Sequence, residues 1–228
     1  MVMILGGIHM RRTLMGSLML IISVFLVGCS TEEWEEIQYT SVHDIDTILI
    51  DYRSTNVLIQ TTDDDELSTS LLLHDNGPGI AMDKENGKIN IRTKNKITRL
   101  FNIRKPALTI NIPANYTGEV VLKGSSGNVT GNDLQMEILN ISGSSGNVDL
   151  TFHELMTSTT VSLSSGNVDI TVREQPDASI DLKSKSGKKS IDFVLDDQEQ
   201  TKQRTTGTIG NGTYPLQIET TSGNIRLE

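Results

Sequence analysis

The string Ser-Ser-Gly-Asn-Val occurs three times, at Ser125 to Val129, Ser144 to Val148 and Ser164 to Val168. Serine grouped with glycine and asparagine could in principle hold a nucleophile. Nucleophilic serine chemistry needs one distinguished serine with a base in reach. Here the serines come in repeated, contiguous copies, and His43, His74 and His153 lie outside them. No triad constellation is visible, so the strings read as turn chemistry and the chain as a non-enzyme. Asp149 and Asp169 hold equivalent places, three residues after a glycine. If copies stack, these carboxylates meet as like charges, which is mildly destabilising unless a cation or water intervenes. Calcium takes about six to eight oxygens, which neither this pair nor the run Asp63-Asp64-Asp65-Glu66 supplies. Both read as solvated surface, and neither a metal nor a cofactor is expected.

Charge gives a second group of candidates. Arg92, Lys94, Lys96, Arg99, Arg104 and Lys105 follow one another with no acidic residue between them, in a chain of net charge -9. Such a run can meet anionic lipid headgroups or anionic wall polymer, at about 1 kcal/mol per basic residue near the surface. The plainer reading is an exposed loop with Leu100 and Phe101 packed beneath it. Lys183, Lys185, Lys188 and Lys189 form a smaller cluster. The overall acidity excludes a general nucleic-acid binder, which needs a basic footprint.

The third candidate is Cys29, the one cysteine, which by itself excludes intramolecular disulfides and multi-cysteine metal sites. Arg11 and Arg12 precede an apolar run from Leu14 to Val27. That is a charged n-region before an h-region, too short to span a bilayer, which takes about 20 residues. The run ends in Leu26-Val27-Gly28-Cys29, which resembles the lipobox of bacterial lipoproteins. The resemblance implies a diacylglyceryl group on the Cys29 sulfur and a cut just before it. Residues 1–28 then form the signal peptide, with Met10 a better start than Met1. Two acyl chains make a stable anchor, so the expected place is the outer face of the cell membrane. Residues 29–45, acidic around Trp34, read as the lipidated cysteine and a tether. Trp34 is expected either at the bilayer interface or as the first packing contact of a domain over 46–228.

These residues must be positioned by something regular. Gly127, Gly146 and Gly166 recur at about 20 residues. Gly187 and Gly223 continue the series, and Gly87 lies about two periods before it. Apolar residues keep register with the glycines. Val129, Val148, Val168 and Ile225 come two places after; Leu122, Ile141, Val161, Leu182 and Ile218 come five before. Ile48, Ile50, Val57 and Ile59 fit the same frame around Thr55. Alternate apolar positions on both sides of a turn mean two short strands, each with one buried face. Hydrophobic content of 36% with only 4% aromatic residues predicts an aliphatic core.

An all-β fold follows, in one of two forms. Each turn could close a hairpin in an antiparallel meander or sandwich. Alternatively, each period is one coil of a β-solenoid. The solenoid is favoured, because stacking at about 4.8 Å lets identical polar side chains form ladders. That explains why Asn128, Asn147 and Asn167, with Asn224, are the same residue. About eight or nine coils would make a rod about 40 Å long. Three departures are visible. Lys189 falls in an inward column, Asp196 to Gly212 interrupts the pattern, and Leu108 to Pro113 reads as a strand without its own turn.

The strand Leu108 to Pro113 and the copies of Gly124-Ser125-Ser126-Gly127-Asn128-Val129 resemble the bacterial "putative adhesin" family of unknown function, with its LiaG-like and YvlB-like envelope proteins. The resemblance covers about Ile48 to Leu227 and implies a solenoid-like fold with no catalytic residues to carry over. The expected function is a lipid-anchored surface binding or scaffold protein, adhesin-like or tied to envelope stress. Its partners would be the membrane and a wall polymer, glycan or envelope protein. A carbohydrate-active enzyme on a β-helix and an accessory modulator of a membrane sensor are the alternatives.

Overall fold

The strand that ends at Ser145 and the strand that begins at Val148 do not pair with each other. Each instead pairs in parallel with the equivalent strands one repeat before and one repeat after. The Ser-Gly-Asn turn therefore carries the chain from one sheet to another, which is the solenoid alternative. The computed structural model describes residues 33–74, 79–94 and 107–228, all in strands, turns and loops without a helix. Cys29, Lys96, Arg99, Arg104, Lys105 and the expected leader lie outside these residues.

The N-terminal strands are β1 (Glu33–Ser41), β2 (Thr47–Arg53), β3 (Asn56–Thr62), β4 (Glu66–His74), β5 (Ile80–Glu85), β6 (Lys88–Thr93) and β7 (Ala107–Pro113). The repeats follow as β8 (Glu119–Gly124) with β9 (Val129–Asn132), then β10 (Ile138–Ser145) with β11 (Val148–Phe152). Next come β12 (Ser158–Ser165) with β13 (Val168–Val172), and β14 (Ala178–Ser186) with β15 (Lys189–Ile191). The chain closes with β16 (Asp196–Gln200), β17 (Arg204–Ile209), β18 (Tyr214–Ser222) and β19 (Ile225–Leu227). One sheet has nine strands, in the order β1-β4-β7-β3-β9-β11-β13-β19-β15. The other has ten, in the order β16-β17-β14-β18-β12-β10-β8-β2-β6-β5, a width of about 40 Å.

Aliphatic columns run between the sheets. One column stacks Ile50, Leu122, Ile141, Val161, Ile218 and Leu182 in direct register. The facing one stacks Val57, Val129, Val148, Val168 and Ile225. All of these side chains are buried, each worth about 1.5–3 kcal/mol relative to exposure. Lys189 extends the second column at the final coil. There the stack ends, so its ammonium can leave the column and donate to the Lys202 carbonyl at 2.9 Å.

Several expectations need correction. Among the described residues seven layers stack, rather than eight or nine, six whose two strands are joined by a short turn and a seventh made of β6 on β2 and β7 on β3, and they do not follow chain order. The last coil, β18–β19, inserts between β12–β13 and β14–β15. Gly87 is not a solenoid turn. With Asn86 (φ 50°) and Gly87 (φ 72°) it closes the antiparallel hairpin β5–β6, where two left-handed residues match strand twist. Its frame looked right because Ile89 and Ile91, just after it, do stack in parallel register on Ile48 and Ile50. Residues 33–41 are not tether but an edge strand antiparallel to β4. The polar interruption is an ordered hairpin, β16–β17, added antiparallel to β14.

Candidate functional site

The turns form one continuous row along an edge of the stack. Asn128 N donates to Asn56 Oδ1 at 3.1 Å, Asn147 N to Asn128 Oδ1 at 3.0 Å and Asn167 N to Asn147 Oδ1 at 3.0 Å. Asn224 N then donates to Asn167 Oδ1 and Lys188 N to Asn224 Oδ1, both at 2.9 Å. Each asparagine thus caps the backbone of the next coil, in the spatial rather than the chain order. The glycines have a shared reason too, and it is space. A Cβ on Gly127 would overlap the Thr55 carbonyl oxygen. Cβ atoms on Gly146, Gly166, Gly223 and Gly187 would overlap the carbonyl oxygens of Gly127, Gly146, Gly166 and Gly223. Positive φ adds strain for a side chain at Gly146 (131°) and Gly166 (141°). It is not the common factor, because Gly127 and Gly187 lack it.

The family model described as Toastrack DUF4097 matches residues 45–151 and, a second time, residues 132–228. The chain belongs to the Toastrack DUF4097 family. The double match reflects the repetition of one coil pattern along the Toastrack frame. No curated protein matches the chain. A "putative cell adhesion protein" from Clostridium sporogenes shares the fold. It is 13% identical over 86% of this chain and 99% of its own, with a TM-score of 0.65. A "putative adhesin" from Bacteroides fragilis is 14% identical over 86% of this chain and 97% of its own, with a TM-score of 0.37.

The remaining candidates fall on the outer faces of this Toastrack stack. His43 stands beside Asp44 (3.3 Å) and His153 beside Glu174 (3.5 Å), both pairs exposed. Neither histidine is paired with a repeat serine. Among the described residues no group of three or more His, Cys, Asp or Glu could hold a metal ion. Asp149 and Asp169 are in direct register, as the repeat required. The coil inserted beyond them brings Arg226 into the same row, with its Nε 3.7 Å from Asp169 Oδ1. Sequence reasoning missed this pairing because Arg226 is a stacked neighbour only in the observed coil order.

Of the basic run, Arg92 ends in an ion pair with Asp83 across the β5–β6 hairpin, at 2.6 Å. Arg92 also lines an open groove of about 420 Å³ with Leu49, Asp51, Arg53, Asn90 and Lys123. Arg53 and Asp51 face each other there at 3.6 Å. Lys94 follows β6, its backbone N–H donating to the Gly79 carbonyl at 3.0 Å. In the second lysine cluster, Lys183 pairs with Glu219 at 2.7 Å. Two tyrosines inside the fold hold their protons more tightly than usual. Burial raises the pKa of Tyr52, and burial followed by the charges of Asp46 and Glu119 raises that of Tyr116. At the other end the Asp177 carboxylate accepts from Thr213 Oγ1 at 2.6 Å and from Asn211 N at 2.6 Å. Those bonds, the Thr213 hydroxyl first, lower its pKa.

Proposed function

We propose that this Toastrack protein is a non-enzymatic, lipid-anchored protein of the cell surface that acts as an adhesin-like binding or scaffold module. The observation that carries this reading is the fate of the repeated polar groups. The asparagine side chains of the repeated turns are committed to capping the next coil. What remains outside is a long, regular, shallow surface, which suits elongated partners such as a glycan, wall polymer or another envelope protein. The name of the Clostridium sporogenes protein points the same way. Anchoring rests on the Leu26-Val27-Gly28-Cys29 string, and Arg92 and Lys94 with the basic residues that follow would add contact with anionic envelope components.

Two measurements test the reading. Cys29→Ala should move the protein from the membrane fraction to the soluble extracytoplasmic fraction and abolish incorporation of a fatty-acid label. Membrane retention and labelling in that variant would overturn the anchor. Purified wall polymers and anionic vesicles should retain the wild type. They should release a variant with Arg92, Lys94, Lys96, Arg99, Arg104 and Lys105 all replaced by Gln; equal retention removes the basic run from the proposal.

A further inference from the structure

The outer face of the nine-stranded sheet changes character at its β1 end. Successive residues of a strand point to opposite faces. On the inner side, Glu36 Oε2 accepts from Ile80 N at 3.1 Å and Gln38 Nε2 donates to the Ile80 carbonyl at 3.3 Å, so that side is packed against β5. On the outer side stand Ile37 and Tyr39, 48% and 63% exposed. Leu72 of β4, opposite Glu35 in the ladder, joins them at 39%. Glu35 stands among them, and beyond this group the outward residues of β4, β7, β3 and β9 are Ser, Thr, Asn, Gln, Leu58, Ala107, Pro113 and, opposite Ser41 at the end of β4, Glu66. In the row that begins at Ile37 the first charge is Asp149. Three large apolar side chains exposed together, with Glu35 as the one charge between them, stand out in a chain that is 21% charged.

The chain itself indicates what covers this face. Only Ser30, Thr31 and Glu32 separate Cys29 from the start of β1. Four residue steps reach at most about 14 Å, less than the thickness of one leaflet with its headgroups, about 20 Å. A lipidated Cys29 therefore keeps β1 at the bilayer surface. Contact there is intramolecular, so a weak apolar patch suffices. Tyrosine favours the interface, where the Glu35 carboxylate opposite Leu72 stays hydrated among the headgroups. We propose that the outer face of β1 and β4, through Ile37, Tyr39 and Leu72, lies on the bilayer that holds Cys29 and fixes the domain's orientation there. This deepens the reading above and rests on its lipid anchor.

The test uses the full lipoprotein reconstituted in uncharged phosphatidylcholine vesicles. A thiol-reactive, environment-sensitive dye is placed at Ile37→Cys or, on the same face in β11, at Asp149→Cys; both positions are exposed, and an acylated Cys29 sulfur does not react. The expected result is a blue shift and quenching by brominated lipid at position 37, with neither at position 149. Vesicle flotation without quenching at position 37 overturns this proposal and leaves the anchor standing. Failure to float overturns both. Quenching that appears only when anionic lipid is added also overturns it, because the basic side chains rather than the apolar face would then make the contact.

Discussion

The middle of the stack and its C-terminal end use the same turn and obey different rules. From β8 to β13 each coil lies on the one before it in the chain, and the row of asparagines runs in chain order. Beyond β13 the chain skips a place, builds β14–β15, folds out the β16–β17 hairpin, and returns to fill the gap with β18–β19. Identical turns specify that coils are compatible neighbours; they do not specify which neighbours. The order is set by what is irregular. Arg226 meets Asp169 only when the last coil is inserted. The β16–β17 hairpin already occupies the outer edge of β14, which leaves the inner place for the return.

The largest effect expected from this contrast is at the glycines. Gly166 is enclosed by coils on both sides, and a Cβ there meets the Gly146 carbonyl at a φ of 141°. Gly166→Ala should cost about 4 kcal/mol or more, by steric conflict and strain together. Gly187 makes the same contact, with Gly223, but belongs to the terminal coil and lacks the positive φ. That coil can move outward, so Gly187→Ala should cost about half as much. Urea denaturation of the two variants checks the ratio; equal losses would mean that the end is as constrained as the middle.

Next in size is the core. Ile141 is 2% exposed with stacked neighbours on both sides, so Ile141→Ala should cost about 2–5 kcal/mol. Ile191, in the last strand of its sheet, is only partly buried. Its replacement by Ala should fall below the low end of that range, as thermal unfolding would show. Charge comes third. Arg226→Glu places a third carboxylate beside Asp149 and Asp169 and should cost about 1 kcal/mol or less, since these groups are half exposed. Added salt should shrink the loss. A salt-independent loss would point instead to packing by the arginine stem.

The same contrast explains how far the sequence could be read. The columns through Ile141 and Val148 were legible because one side chain per strand must face inward at a fixed distance from each turn. The asparagine row was legible because stacking alone gives distant turns a reason to match. Coil order was not, since Gly187 and Gly223 carry equally good turns and only Arg226, through Asp169, distinguishes their places. β1 was hidden by Glu33, Glu35 and Glu36, whose charges masked the alternation of an edge strand. The β16–β17 hairpin was hidden because it lies at a sheet edge, where β16 is exposed throughout and needs no apolar face. At the candidate contact face, Ile37 and Tyr39 could be read as alternate residues. Leu72 could not be placed beside them before the antiparallel β1–β4 register was known.

The smallest effect concerns the hinge that returns the last coil. Asp177, at the start of β14, accepts from Asn211 N and from the backbone and hydroxyl of Thr213, just before β18. These bonds favour the carboxylate, so its pKa is lower in the fold than in the unfolded chain. A depressed acid stabilises the fold above its unfolded pKa of about 3.9, and the benefit fades as pH falls through the lower folded value. Asp177→Asn should therefore lower the urea midpoint near neutral pH, with the gap between variant and wild type closing as pH falls through the lower folded value and both side chains become neutral. Asp177 is only partly buried, so the gap should be small. It tests the hinge only, because none of the asparagines capping the regular turns titrates, and a gap that persisted unchanged in acid would trace the loss to amide geometry rather than to the charge.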